Sequence, residues 1–503
     1  MAKRLHETWP EIVISTAANK VAISRAVRKG TLRKLANRLY TTNLADPPES
    51  IVRRNLWPIV GAFVPGGLIA DRTAMENAPA ADGSVFLVAD RFRPIDLPGI
   101  TIKPRKGLPP LESDQPFIAG LRLSSIPRAY LDNMAVSRPR EDQVGRTLTR
   151  AELEERLDTF LRRGGPDALN KLRDDARAIA LALQLDDSFA QLDKLIGALL
   201  GTREAALETS SARARRAGRP YDPQRQSLFE ALHVALRVAP AIIRPTSART
   251  PDQAAVLAFY ESYFSNFIEG TEFPVEEAAE IVFDGRIPAG RPEDAHDILG
   301  TYRLAADPVD RRRAPQNAAD LLDILKQRHA AVMGGRPDKM PGIFKSRSNQ
   351  AGSTVFVAPD LVEGTLELGF GFYRSLETAF ARAVFMMFLI SEVHPFADGN
   401  GRTARLMMNA ELSAGGEERI IIPTVYRNNY LAALKALSLN GIADPIVRTL
   451  EFAQKWTAAI DWASVETTRR VLKACHAFVD ATEAEGRGVR LRLPEGGAGV
   501  SEP

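Results

Sequence analysis

His394-Pro395-Phe396-Ala397-Asp398-Gly399-Asn400-Gly401-Arg402-Thr403-Ala404-Arg405 is the most chemically loaded stretch of this chain. It follows an apolar helical run, Leu376 to Val393, and leads into a second amphipathic pattern from about Arg402 to Leu412. A loop rich in Gly and Asn that opens a buried helix makes an anion cradle, because unpaired backbone N–H groups and the positive end of the helix dipole converge on it. Gly399 and Gly401 let the backbone close in on phosphate oxygens. Arg402 and Arg405, three apart on the first turn, can bring two guanidinium forks to one polyphosphate. Asp398, beside the cradle, can hold a Mg²⁺ that bridges phosphates. His394, at the end of the preceding helix, can accept a proton near neutral pH.

The string resembles the signature of the Fic family, His-x-Phe-x-(Asp/Glu)-Gly-Asn-Gly-Arg-x-x-Arg, and matches it at every specified position. The resemblance implies an all-α domain that transfers AMP from ATP to a hydroxyl of a target protein. Carried over by position, His394 deprotonates the incoming Ser, Thr or Tyr hydroxyl and Asp398 coordinates Mg²⁺ on the α- and β-phosphates. The backbone of Gly399, Asn400 and Gly401 holds the transferring phosphate, Arg402 contacts the phosphates and Arg405 anchors the γ-phosphate. Upstream, Ser265-Asn266-Phe267-Ile268-Glu269-Gly270 is similar to the family's inhibitory motif, (Ser/Thr)-x-x-x-Glu-(Gly/Asn). Ser265 and Glu269 share one face of a helix expected over about 252–270. Packed beside the cradle, Glu269 would pair with Arg405 and deny it to the γ-phosphate. In some relatives the same glutamate positions water to remove AMP, so the reverse activity, or transfer of another nucleotide or phosphate group, stays open.

Two further assignments follow from the same resemblance. The segment Phe344 to Pro359 reads as a β-hairpin turning at Asn349 to Ser353, and its Thr354, Val355, Phe356 and Val357 are expected to form a flap that docks the target's backbone by strand addition. Tyr430 and Asn440 fall where the family contacts adenine. The other histidines, His6, His233, His296, His329 and His476, show no ligand set at metal spacing and read as structural or surface residues.

The rest of the chain sets the frame. At 503 residues it is too long for one compact core, and 45% hydrophobic with 25% charged residues is an ordinary globular composition. One cysteine, Cys475, excludes a disulfide framework and a Cys-rich zinc module. The N-terminus lacks an apolar leader and the longest apolar run, Ala383 to Ile390, is far short of a bilayer span, so a cytoplasmic protein without membrane contact is expected. The net charge of +4 is uneven: residues 1–60 hold eleven Lys or Arg against four Asp or Glu. That block is expected to be a basic winged-helix-like domain, with helices at Ser24 to Val27 and Thr31 to Leu39 and a β-prone Leu39 to Thr42. Through about Leu108 it is similar to AbiEi-type antitoxin or transcriptional-regulator proteins, which implies DNA as a partner through phosphate contacts.

The expected fold is mainly α: an all-α Fic domain with a short hairpin flap behind a small mixed α/β N-terminal region. The expected division is residues 1–60, a small α/β region over 61–145 with strands at Val85 to Val88 and Ile100 to Ile102, a helical region over 149–216, the Fic domain over 226–483 and a frayed tail over 484–503, with a linker at Arg138 to Asp142. The expected partners are ATP, Mg²⁺ and a hydroxyl-bearing target protein, with homo-oligomer formation open. The alternative function is a DNA-binding regulator in which the Fic domain is accessory.

Overall fold

The computed structural model describes residues 9–90, 93–137, 143–352 and 354–494. The described residues are mainly helical, with 56% of them in helices. It divides into two compact units, residues 1–216 and 217–503. The expected linker Arg138 to Asp142 and residues 495–503 of the expected tail lie outside the described residues.

The first unit opens with strand β1 (Ile12–Ile14), helix α1 (Lys20–Arg28), and strands β2 (Arg33–Ala36) and β3 (Leu39–Thr41) in an antiparallel sheet of order β1-β3-β2. The helix expected over Thr31 to Leu39 is therefore a hairpin. Its turn runs through Arg38 at φ 64°, a conformation no helix interior accepts. The hairpin wins because it pairs Arg33 with Thr41 and Lys34 with Tyr40, while Leu39 and Thr41 become fully buried. A second sheet follows, built from β4 (Leu68–Ile69), β5 (Ser84–Val88), β6 (Ile95–Leu97), β7 (Ile100–Arg105), β8 (Gln115–Pro116) and β9 (Arg122–Leu123) in the order β6-β7-β5-β4-β9-β8. β5 and β7, at the two expected apolar runs, pair in parallel. β5 is buried at all five positions, as a central strand covered on both faces must be. The helices Ile126–Met134, Arg150–Ala180 and Asp186–Leu199 complete the unit around a separate leucine-rich core.

The second unit is a helical assembly. The helices that build its site are α2 (Pro251–Ile268), α3 (Pro292–Ala306), α4 (Ala318–Met333), α5 (Ala379–Val393) and α6 (Asn400–Ala414). α5 buries every residue from Ala383 to Ile390, the behaviour of a helix apolar all round. It packs against α6, and Phe385, Phe388, Phe396 and Met407 fill the core between and beside them. α2 starts with a capping box, Thr250 and Gln253 each satisfying the other's backbone N–H, and its Tyr260 and Phe264 enter a second core with Trp456 and Trp462. Two two-residue strands, β10 (Gln350–Ala351) and β11 (Thr354–Val355), pair antiparallel within the expected flap, so the first strand falls inside the expected turn Asn349 to Ser353, of which Ser353 lies outside the described residues, and Phe344 to Arg347 is not a strand. The tail expected from residue 484 is helical from Ala481 to Arg487, because Ala484 and Leu491 pack into that second core.

Candidate active site

The loop between α5 and α6 is folded by its own side chains. His394 closes α5 in a left-handed conformation, φ 52° and ψ 59°, which turns the chain sharply off the helix axis. Asn400 folds back across the loop: its Oδ1 accepts from the Phe396 N–H at 2.8 Å and its Nδ2 donates to the Phe396 carbonyl at 2.9 Å. The amide of Asn400 is thus spent on shaping the loop, and its backbone belongs to the opening turn of α6. That first turn has N–H groups with no intrahelical acceptor.

Above this turn lies Glu269, the residue that ends α2. Its Oε1 accepts from Arg405 Nη2 at 2.7 Å. A Cβ built on Gly401 would stand only 2.1 Å from that same oxygen, so position 401 has to be glycine for a carboxylate to rest on the turn. Ser265, one helical turn before Glu269, takes Arg405 Nε on its Oγ at 3.0 Å and Nη2 on its carbonyl at 2.8 Å. Burial works against the Arg405 charge, and the Glu269 carboxylate overcomes it. Gly270, left-handed at φ 88°, stops α2 directly after Glu269. The carboxylate that meets Arg405 beside the start of α6 is therefore supplied by the chain itself.

Arg402 is held differently. Its Nη1 donates to Asp297 Oδ2 of α3 at 2.6 Å and lies 3.4 Å from Asn266 Oδ1 of α2. Its Nη2 is 3.8 Å from Asp398 Oδ1. Asp297 also receives Arg336 Nε at 2.9 Å. Asp398 is half exposed at its side chain, and its Oδ1 accepts from the Gly399 N–H at 2.6 Å. A single partly exposed carboxylate beside a phosphate cradle suits a Mg²⁺ whose remaining ligands are phosphate oxygens and water.

His394 faces the flap. The Phe356 ring stacks on the imidazole with centroids 3.8 Å apart and planes 7° from parallel. His394 Nδ1 lies 3.3 Å from the Ser391 carbonyl, which can only accept, so Nδ1 carries the proton and Nε2 the lone pair. Burial pulls the imidazole down to about 4; the Ser391 carbonyl, Glu269 and Asp398 oppose this and Lys345 adds to it. Lys345, which burial lowers to about 7, fastens the flap base to the loop. Its N–H donates to the Pro395 carbonyl at 2.9 Å and its Nζ to Asn349 Oδ1 at 2.7 Å. Asn349 Nδ2 then donates to the Phe396 carbonyl at 2.9 Å.

The structure thus brings His394, Asp398, Gly399, Asn400, Gly401, Arg402, Arg405, Ser265, Glu269 and Phe356 into one neighbourhood. Thr354 and Val355 lie on the outer flap strand, with Val355 largely exposed, whereas Val357 is fully buried in the core. Tyr430 is buried too, its hydroxyl 3.2 Å from Met387 Sδ and beside Arg405. Asn440 is the exposed last residue of helix Arg427–Asn440. Asp297, which meets Arg402 from α3, was not singled out in the sequence, and His329 and Lys345 were read there only as a structural or surface residue and as part of the flap segment.

Residues 320–412 match the model of the Fic/DOC family. The chain is 26% identical over 243 residues to the protein adenylyltransferase Fic of Drosophila willistoni, covering 47% of this chain and 48% of that protein. It is 27% identical over 242 residues to the protein adenylyltransferase Fic of Drosophila grimshawi, with the same coverage of each. The chain spans about half the length of these curated relatives. Among solved structures, Fic-1 from C. elegans is similar at 19% identity and a TM-score of 0.34, over 65% of this chain and 97% of that one.

Proposed function

We propose that this chain, which carries a Fic/DOC-family domain over residues 320–412, is a protein adenylyltransferase that transfers AMP from ATP to a Ser, Thr or Tyr hydroxyl of a target protein and restrains itself through Glu269. The observation that carries the reading is the Glu269 carboxylate resting on the Gly401 turn and on Arg405. In this reading the carboxylate supplies to Arg405 the negative charge that a terminal phosphate would otherwise bring.

In this reading a bound triphosphate displaces Glu269, and Arg405 passes from the carboxylate to the γ-phosphate. The free N–H groups at the start of α6 hold the transferring phosphate, giving fixed donors where negative charge builds up. Arg402, pinned by Asp297 through Nη1, keeps Nη2 for the phosphates. His394 Nε2 takes the proton of the target hydroxyl; the hydroxyl oxygen bonds to the α-phosphorus and pyrophosphate leaves. Asp398 would hold a Mg²⁺, which supplies charge neutralisation at the α- and β-phosphates when bound. The edge of the flap would align the target's backbone by strand addition.

The test is incorporation of labelled AMP. Glu269→Gly is expected to raise it by about tenfold or more, in line with ordinary coupling energies between sites, and adding His394→Ala returns it to background. If the Glu269→Gly protein removes AMP from a modified target, or takes up a different nucleotide, the direction or the donor in this reading is wrong.

A second reading concerns residues 1–60. Here α1 and the β2–β3 hairpin line a cleft of about 670 Å³ with Lys20, Arg28, Lys34 and Arg38, and no acidic residue occurs between Ile12 and Ala45. This supports a nucleic-acid-binding surface, with α1 in place of the segment 31–39 as the helix that meets the backbone.

A further inference from the structure

His329, on α4, is fully buried and lies against the motif loop from behind. Its ring stacks on Phe396 with centroids 3.7 Å apart and planes 1° from parallel. Both ring nitrogens are engaged, each by a different loop. The Gly342 N–H donates to Nδ1 at 2.9 Å, so Nδ1 carries a lone pair. Nε2 lies 3.0 Å from the carbonyl oxygen of Asp398, which only accepts, so Nε2 carries the proton. The two contacts together allow one neutral tautomer.

The surrounding packing leaves this loop little freedom. Gly399, next to Asp398, is left-handed at φ 71°, and a Cβ there would lie 2.7 Å from Met333 Sδ and 3.4 Å from His329 Cδ2. α4 therefore presses on the backbone directly behind the Asp398 carboxylate. On the other side, the Gly399 N–H holds Asp398 Oδ1. Gly342 stands three residues before Lys345, whose N–H holds the Pro395 carbonyl, so the flap base and the motif loop share the same anchor.

We propose that His329 is a positioning residue: its Nε2–H on the Asp398 carbonyl and its face on Phe396 fix the direction in which the Asp398 carboxylate meets a divalent cation carried by the nucleotide. The proposal rests on the adenylyltransferase reading for the identity of that nucleotide. Buried imidazole nitrogens are paired as a rule; what singles out His329 is that its Nε2–H is spent on the carbonyl of Asp398 itself.

The test uses the full chain with Glu269→Gly as parent. His329→Phe keeps a stacking ring and loses both hydrogen bonds; His329→Gln keeps an N–H donor for the Asp398 carbonyl. Two readouts are taken: AMP transfer against Mg²⁺ concentration at saturating ATP, and Mn²⁺ binding with a non-hydrolysable ATP analogue, followed by paramagnetic broadening. His329→Phe is expected to raise the half-saturating metal concentration about tenfold in both, the usual scale for an outer-shell partner, and His329→Gln is expected to recover most of it. Equal metal dependence in His329→Phe and parent, or equal losses in the two variants, overturns the proposal. If either variant fails to fold, ¹⁵N spectra of the histidine rings in the unsubstituted protein decide: the Nε2–H tautomer is expected at His329, and the Nδ1–H tautomer overturns it. Should the parent transfer nothing with any nucleotide, the functional reading falls, while Mn²⁺ binding and the ring spectra still judge His329.

Discussion

Burial sets the working charge of His394. A base must be unprotonated to act, and an ordinary histidine near 6.5 is half lost by the time the pH reaches that value. His394 is lowered to about 4 by desolvation, so the neutral form that the proposed role as base requires persists through mildly acidic pH. In the Glu269→Gly protein, which lacks the carboxylate that holds the imidazole up, kcat/KM for ATP is expected to stay level down to about pH 5 and to fall only below about 4. That ratio reports groups in the free enzyme, and an acidic limb centred near 6.5 contradicts the assignment. Asp297 gives a second test at the same scale. Its side chain is 1% exposed and binds two arginines, Arg402 and Arg336. Asp297→Asn leaves both cations facing a neutral amide, and removing one member of such a buried pair costs about 3–5 kcal/mol. Urea unfolding is expected to show that loss; a change below about 1 kcal/mol means that Arg402 finds another partner. The grouping of His394, Asp398 and the two arginines was legible in the sequence because they fall within twelve consecutive residues, so that one loop and one helical turn bring them together. Asp297 was not, since it is 105 positions from Arg402 and only the packing of α3 beside α6 joins them.

At the scale of elements, α2 acts as a rod that delivers one carboxylate. Its capping box fixes one end and Gly270 the other, so Ser265 and Glu269 reach Arg405 from a single face. Ser265→Ala removes the Oγ acceptor of Arg405 Nε and leaves the Glu269 pair in place. Basal AMP transfer is expected to rise a few-fold, well below the effect of Glu269→Gly, since the Glu269 carboxylate still pairs with Arg405. A rise equal to that of Glu269→Gly makes Ser265 the main restraint instead. The spacing of Ser265 and Glu269 announced this helix. The segment Thr31 to Leu39 shows the opposite case: its polar and apolar residues suit a helix stripe, yet pairing with β1 and β3 buries Leu39 and Thr41 on a sheet. Pairing partners distant in sequence are what a local pattern does not reveal. The flap stands between these cases, since its hairpin is visible in the local pattern but the burial of Val357 depends on the core beneath it.

At the scale of the whole molecule, the positive charge and the motif loop are divided between the units. The motif and the helix that carries Glu269 belong to residues 217–503, and the uncompensated positive charge belongs to the start of residues 1–216. If α1 and its hairpin meet nucleic acid, affinity for duplex DNA falls steeply with salt, and neutralising Arg28, Lys34 and Arg38 flattens the slope by about 0.9 for each phosphate that no longer meets a cation. Fluorescence anisotropy at several salt concentrations checks this, and a binding curve that the triple variant leaves unchanged removes the assignment. The composition showed where the charge lies; which surface presents it depended on the strand pairing.

The most direct measurement of the central claim is the intact mass of the Glu269→Gly protein after incubation with Mg²⁺ and each nucleoside triphosphate in turn. ATP is expected to add the mass of one or more AMP groups, with no addition once His394 is also replaced by Ala. A Glu269→Gly protein that gains nothing from any triphosphate, or gains it equally without the His394 imidazole, contradicts a cradle that glutamate occupies in place of phosphate and a histidine that draws the proton.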